Sequence, residues 1–177
     1  MASRFQQELK EVLPGFSHFK LEPEGREAKS LKVFFESEAG KPIELRFEVL
    51  SDGQRMLVAL YALLHGLAAQ PEEIYGTDLP SELLCLDEPD NFIASREIQP
   101  WLTAIEERLL ETKSRLLMIS HHPESIDYGL MPSSDETYSA FWFSREDGGN
   151  TRVQPLVPEL SGGLKPSELA ARGWLRP

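Results

Sequence analysis

The sequence has a single cysteine, Cys85, among its 177 residues. An intramolecular disulfide and a metal cluster held by cysteines are therefore excluded. No apolar run reaches the length of about 18 residues that a membrane-spanning helix needs, and the N-terminus "MASRFQQELKEV" lacks the apolar segment of a signal peptide. These absences predict a soluble, cytoplasmic protein.

Basic residues are also scarce, with 18 Lys and Arg against 29 Asp and Glu and a net charge of -11. This deficit disfavours wrapping a polyanion, because phosphate binding along a strand needs clustered Lys and Arg. It does not exclude a single nucleotide, since backbone N–H groups can form a local anion site. We therefore expect nucleic acid to be bound only through a larger assembly.

Apolar periodicity predicts a chain that alternates helices and strands. Helices are expected over residues 3–13, 52–69 and 95–112, and Pro100 either kinks the third helix or marks its true start. The apolar runs "LLCLDEP" and "RLLMISHHPES" flank that helix, and Cys85 in the first run is expected to be a small core residue. A strand, a helix and a strand in succession indicate a βαβ crossover. We therefore expect two buried, parallel strands in an α/β fold.

Antiparallel hairpins are predicted on both sides of this parallel core. One pairs "SLKVFFES" with "PIELRFEV", and the other pairs "TYSAFWFSRE" with "TRVQPLV". We expect a single domain over residues 1–177. Residues 1–50 form the first helix and hairpin, 51–130 the core, and 131–177 the closing hairpin and a tail with the short helix "PSELAARGW".

Two adjacent acids, Asp87 and Glu88, follow the apolar run "LLCL". Ligands of open α/β sheets bind beyond the carboxyl ends of the strands, which is where these acids are expected. Such a pair suits an Asp that holds Mg²⁺ through its water shell and a Glu that orients and deprotonates an attacking water. The alternative is a solvated strand end with a helix-capping acid.

His121 and His122 follow the second apolar run and are expected at the same edge of the sheet. An imidazole there can donate a hydrogen bond to a phosphate oxygen or hold a water in place. Adjacent side chains point in different directions, so we expect only one of the two to face a ligand. A strand-end histidine with a structural role is the alternative.

A polar turn, "LSDGQR", opens the long second helix. Ser51 is a strong N-cap residue, Gly53 lets the backbone approach a bound group, and Gln54 adds a side-chain donor. The unpaired N–H groups of the first turn and the helix dipole form a site for an anion. A plain N-cap with a solvated Asp52 is the alternative.

In this order, the three motifs resemble the C-terminal half of an ABC-type ATPase domain, in the branch of AAA/ABC-like ATPases related to chromosome-maintenance and DNA-repair ATPases. "LSDGQR" resembles the ABC signature, usually Leu-Ser-Gly-Gly-Gln, with Asp52 in place of the first glycine. "LLCLDEP" resembles Walker B, and "ISHHPES" resembles the Thr-His-Ser-Pro-Glu form of the switch-histidine loop. "DNFIASREIQ" occupies the D-loop position, where the family's Asp would fall near Ala94. The resemblance implies a P-loop NTPase-like fold, of which this chain is the C-terminal lobe.

The resemblance also implies roles for individual residues in Mg²⁺-dependent ATP hydrolysis. Asp87 is the Mg²⁺-associated acid, Glu88 the catalytic base and His121 the switch histidine on the γ-phosphate, with His122 in the Ser place. In the family, two subunits sandwich ATP head to tail, so the implied partner is a homologous subunit or a Walker A-bearing half. The residues that contact ATP across this dimer are those of the signature: Ser51, Asp52, Gly53 and Gln54.

The sequence contains no Walker A loop, Gly-x-x-x-x-Gly-Lys-Ser/Thr, whose backbone would cradle the phosphates. The nearest string, "PEGREAKS", has Pro23 and Ala28 in place of both glycines and is expected to be a charged surface turn. The chain is then a fragment of a longer ATPase, one half of a split enzyme or a degenerate lobe, and the sequence does not choose among these. We expect it to be inactive alone.

Two functions from other classes stay open. A degenerate lobe that keeps the fold would act as a non-catalytic module for protein interaction. A phosphohydrolase would use Asp87, Glu88 and the two histidines as metal ligands, although adjacent acids make a shared metal geometry awkward.

Overall fold

The computed structural model describes residues 2–38, 40–67, 82–129, 139–145, 148–156 and 164–172. Nearly all of the predicted loop "QPEEIYGTDLPSE" and the last two residues of the predicted second helix lie outside these ranges. The chain divides into two compact units, Met1–Met118 and Ile119–Pro177. The single domain over residues 1–177 stays a prediction.

The described part of the first unit contains helices, an antiparallel sheet and a pair of parallel strands. The predicted helices are confirmed over their described residues, and the third begins at Ser95, so the prediction that Pro100 marks its start is wrong. In chain order the elements are α1 (Ala2–Val12), β1 (Phe16–Glu24), β2 (Ala28–Phe35), β3 (Ile43–Arg46), a 3-10 turn (Phe47–Val49), α2 (Asp52–Leu67), β4 (Leu83–Asp87), α3 (Ser95–Thr112) and β5 (Arg115–Ile119).

The antiparallel sheet has the strand order β1-β2-β3. The predicted pairing of β2 with β3 is confirmed. Strand β1 was not predicted, although Phe19 and Leu21 alternate with polar residues there. Pro23 pairs with Lys29 across the β1–β2 hairpin, and both are exposed. The string "PEGREAKS" is therefore a surface hairpin, as predicted, and not a phosphate loop.

Helices α1, α2 and α3 pack together around the core of the first unit. The buried positions Leu57, Leu60 and Leu64 of α2 recur every three or four residues, which places them on one face of the helix. Trp101 on α3 is buried and donates from Nε1 to the carbonyl oxygen of Leu60 at 3.2 Å. Further buried residues of this unit are Leu9, Leu13, Phe16, Val33, Phe35, Val58, Ile98, Leu102 and Ile105.

Strands β4 and β5 pair in parallel, which confirms the predicted crossover through α3. The backbone N–H of Arg115 donates to the carbonyl oxygen of Glu82 at 2.7 Å. The prediction that both strands are buried is wrong, because each alternates half-buried with exposed residues. Leu83 is 63% exposed, Leu117 is 56% exposed, and Cys85 is exposed and not a core residue. We call this side of the strand pair the open face. The apolar runs predict burial on both sides, whereas in the described strands one side is half-buried and the other is exposed.

The described elements of the second unit are two short helices and a hairpin. They are α4 (Pro123–Tyr128), β6 (Ala140–Ser144), β7 (Arg152–Leu156) and α5 (Pro166–Ala171). Strands β6 and β7 pair antiparallel, which confirms the predicted closing hairpin. Asp127 on α4 accepts hydrogen bonds from the N–H and Oγ of Ser167 at 2.9 and 2.8 Å, and so anchors the start of α5. In the described part of the chain, no helix is both long enough and apolar enough to cross a membrane.

The buried side chain of Tyr61 on α2 makes the stability of the first unit depend on pH in the alkaline range. Burial raises the pKa of its hydroxyl to about 12 from the ordinary 10.0, and the Glu8 carboxylate adds to this effect. The contribution of neutral Tyr61 to stability is therefore complete below pH 10 and is lost as the pH rises toward 12. We expect the free energy of unfolding, measured with urea, to fall over this interval. The Tyr61→Phe variant should show a smaller fall, and equal falls in the two proteins would contradict the prediction.

Candidate functional site

Asp87 and Glu88 lie where β4 ends, at the carboxyl end of the parallel strand pair. The Asp87 side chain is exposed and that of Glu88 is half-buried. Glu88 has a φ of 46°, in the left-handed region, so the chain turns away from the direction of the strand at this residue. The two carboxylates therefore leave the strand at a defined turn, and Glu88 is held closer to the protein interior than Asp87.

The turn from Glu88 to Phe92, here called the acidic turn, is closed by Asn91. The backbone N–H of Asn91 donates to the carbonyl oxygen of Glu88 at 3.1 Å, and its Nδ2 donates to Oε2 of Glu88 at 2.5 Å. Pro89 and Asp90, in the middle of the turn, are buried. Phe92, at its far end, has a φ of 70° and is 70% exposed. Two left-handed residues, a proline and two internal hydrogen bonds make the turn a stiff support for the Glu88 carboxylate.

The polar turn at the start of α2 runs from Ser51 to Gln54 and forms a reciprocal cap. The N–H of Gln54 donates to Oγ of Ser51 at 3.3 Å, and the N–H of Ser51 donates to Oε1 of Gln54 at 3.0 Å. Asp52 forms an exposed ion pair with Arg55 on the next turn. The N–H groups of Asp52 and Gly53 have no acceptor within the helix, so they are the donors that an anion would contact.

Gly53 brings the polar turn against the acidic turn. A Cβ added at Gly53 would lie 2.5 Å from the carbonyl oxygen of Phe92, and real Cβ atoms essentially never approach so closely. The sequence predicts that Gly53 lets the backbone approach a bound group. Within the first unit, the group that approaches it is the carbonyl of Phe92. The polar turn and the acidic turn therefore meet at a close backbone contact between Gly53 and Phe92.

His121 and His122 have different environments in the second unit. Nδ1 of His122 accepts the backbone N–H of Glu124 at 3.2 Å, so His122 is the N-cap of α4. The N–H of His122 in turn donates to Oγ of Ser120 at 3.0 Å. The His121 side chain is exposed. The capping hydrogen bond occupies one ring nitrogen of His122, and His121 is the more exposed of the two side chains.

The donor set of the first unit suits Mg²⁺ better than a metal held by protein side chains alone. Among the residues described by the structure, no group of three or more His, Cys, Asp or Glu side chains could hold a metal ion. Mg²⁺ usually takes one or two carboxylates together with waters and substrate phosphates, and the exposed Asp87 carboxylate can supply such a ligand. The phosphohydrolase alternative requires acids of the first unit and histidines of the second unit to share a metal, and it stays a prediction.

Asn91 and Phe92 are the parts of this site that were not predicted. Asn after a Pro-Asp pair is typical of a turn, since its side chain bonds nearby backbone and carboxylate groups. That signal could have indicated that Asn91 lies beside Glu88. The sequence holds no comparable signal for Phe92, because its left-handed backbone and its contact with Gly53 depend on how α2 packs.

Comparisons with known proteins identify a family and a shared fold. A family model described as "AAA domain, putative AbiEii toxin, Type IV TA system" matches residues 3–127, more than half of the chain. No curated protein matches the sequence. A chain from a structural study of "ATP-driven dimerization and DNA stimulated activation of SMC ATPases" superposes with a TM-score of 0.63 at 17% identity. The match covers 99% of this chain and 92% of that chain, so the fold is shared over nearly the whole length of both.

Proposed function

The chain belongs to the family of AAA domains described as "AAA domain, putative AbiEii toxin, Type IV TA system", and we propose that it is the C-terminal lobe of an ABC-like ATPase, carrying the signature and Walker B motifs. ATP hydrolysis would need Mg²⁺ and a Walker A loop supplied by another segment or subunit. The observation that carries the proposal is the acidic turn. It begins at Glu88, directly after Asp87 at the carboxyl end of a parallel strand, and its last residue, Phe92, lies against Gly53 at the start of α2.

Asp87 and Glu88 take separate roles in this proposal. Asp87 would hold Mg²⁺, which would supply positive charge to the phosphates. Glu88 accepts a proton from the attacking water. Their different exposure supports this division, since Asp87 reaches solvent while Glu88 is half-buried and held by Asn91.

The polar turn and the switch histidine would act on the phosphates. The N–H groups of Asp52 and Gly53 contact the γ-phosphate of ATP that is held by a partner subunit, in a head-to-tail dimer, and Ser51 and Gln54 shape that turn. His121 donates a hydrogen bond to the γ-phosphate. The position of His122 supports this assignment, because it caps α4 at the place where the family motif has a serine, a preferred N-cap residue.

The open face of β4 and β5 supports the requirement for a second half. Parallel sheets are normally covered on both faces, yet Leu83 and Leu117 are each more than half exposed. A Walker A-bearing half that adds strands and helices beside β4 would cover these side chains. The absence of a Walker A loop from the sequence agrees with this arrangement.

The test is ATP hydrolysis by the purified chain with Mg²⁺, measured alone and after addition of a Walker A-bearing half from the same family. We expect no turnover alone and turnover after mixing. Cys85 offers a second measurement, because it is the only cysteine and lies on the open face. A thiol reagent should label it readily in the isolated chain and at least about tenfold more slowly once the second half covers that face.

The outcomes separate the proposal from its rival. Turnover by the chain alone would mean that it has a phosphate cradle of its own and is not a lobe. Slower labelling of Cys85 without turnover would favour a non-catalytic module for protein interaction. Turnover with unchanged labelling would place the second half elsewhere and overturn the role of the open face.

A further inference from the structure

Asn91 makes two hydrogen bonds to Glu88, and they serve different purposes. The backbone N–H of Asn91 closes the acidic turn on the carbonyl oxygen of Glu88 at 3.1 Å. The side chain is not needed for that closure. Its Nδ2 donates instead to Oε2 of the Glu88 carboxylate at 2.5 Å. The amide of Asn91 therefore ties the Glu88 carboxylate to the turn, in addition to the backbone closure.

We propose that Asn91 is the positioning residue for the general base Glu88, an inference that rests on the proposed ATPase function. A glutamate side chain has three rotatable bonds, so each hydrogen bond to the half-buried carboxylate of Glu88 narrows the positions that it samples. A hydrogen bond from Asn91 to one oxygen, Oε2, fixes the carboxylate at the end of the stiff acidic turn. A general base must lie within hydrogen-bond reach of the water that it deprotonates, and small displacements cost large factors in rate.

Glu88 and Asn91 have different roles within the acidic turn. Glu88 exchanges the proton, and Asn91 acts through its hydrogen bond to Glu88, so Asn91 is a positioning residue and not a catalytic one. Loss of the Asn91 amide should therefore lower kcat and leave the KM for ATP nearly unchanged. A residue that only supported the fold would lower the amount of active protein or the thermal stability, and would not be restored by a replacement chosen for its donor.

The experiment compares three variants in the assembled enzyme, formed from this chain and a Walker A-bearing half. Asn91→Asp keeps the shape, removes the donor and places a second carboxylate beside Glu88. We expect it to lower kcat about tenfold to hundredfold, with the KM for ATP within about twofold of the parent. Asn91→Gln keeps an amide donor and should restore part of the rate. Asn150, the other asparagine of the chain, is exposed in the second unit, so Asn150→Asp is the matched control and should leave both constants unchanged.

The failure of this inference is distinguishable from that of the proposed function. If Glu88→Gln abolishes turnover and Asn91→Asp does not change it, Asn91 does not position the base, while the ATPase proposal stands. If Asn91→Asp raises KM as much as it lowers kcat, or if Asn91→Gln is as poor as Asn91→Asp, the positioning role is also wrong. If the assembled halves show no turnover, the proposed function fails, and the role of Asn91 falls with it.

Discussion

The Glu88→Gln variant is expected to lower ATP turnover by the assembled enzyme about 10²- to 10⁴-fold, because a glutamine amide cannot accept a proton from the attacking water. The association of the subunits that ATP drives should be preserved in this variant. The substitution removes the base but keeps the shape of the side chain, and the amide oxygen can still accept from Nδ2 of Asn91, which is 2.5 Å from the carboxylate. Steady-state hydrolysis measures the first effect, and size-exclusion chromatography with and without ATP measures the second.

Glu107 on α3 provides the matched control for Glu88. It is exposed and lies away from the acidic turn in the sequence, so Glu107→Gln makes the same chemical change without touching the base. We expect that variant to hydrolyse ATP at the parental rate. Normal turnover by Glu88→Gln would contradict the assignment of Glu88 as the base. An inactive variant whose subunits no longer associate in the presence of ATP would indicate a structural role for this carboxylate.

Substitution of Gly53 by alanine is expected to have the second large effect. The new Cβ would lie 2.5 Å from the carbonyl oxygen of Phe92, so either the start of α2 or the acidic turn must move. Crowding of this kind typically costs about 1–3 kcal/mol in the free energy of unfolding. Because the polar turn and the acidic turn are both displaced, we also expect lower turnover than the loss of stability alone would produce.

Gly66 on the same helix provides a control with the opposite sign. An added Cβ at Gly66 meets nothing within 4 Å, so Gly66→Ala removes a flexible residue from α2 without a clash. We expect it to stabilise the protein by up to about 1 kcal/mol, since alanine favours helix more than glycine does. Thermal unfolding of the two variants measures the difference. A Gly53→Ala protein as stable and active as Gly66→Ala would show that the contact with Phe92 is unimportant.

The fold could be predicted from the sequence where a local pattern determines structure. The periodicity of α2, the alternation in β2 and β3, and the strand–helix–strand order around α3 each depend on neighbouring residues alone, and each is confirmed. The burial of β4 and β5 could not be predicted in the same way. A short apolar run shows that a strand can be covered on both faces, but coverage depends on what packs against it, and Leu83 and Leu117 remain exposed.

In the candidate site too, local sequence patterns predict some features and packing determines the others. The residue types and their order indicate Asp87, Glu88 and the polar turn, because these positions follow from strand ends and helix starts. The contact between Gly53 and Phe92 joins residues that are 39 positions apart, since 92 − 53 = 39, and no local pattern encodes it. The hydrogen bond from Asn91 to Glu88 is short-range, but it requires the left-handed backbone of Glu88, which is rare for a residue other than glycine.

Under the proposed function, the cap of α4 has a consequence for how the switch motif is recognised in distant relatives. His122 stands where the resemblance implies a serine, and it still supplies an acceptor to the N–H of Glu124 through Nδ1. This position requires a side-chain acceptor that reaches the backbone N–H two residues later. Serine, aspartate, asparagine and histidine can each supply one. A sequence motif that requires serine at this position would not match this chain. A motif that accepts any hydrogen-bond acceptor followed by proline would match it.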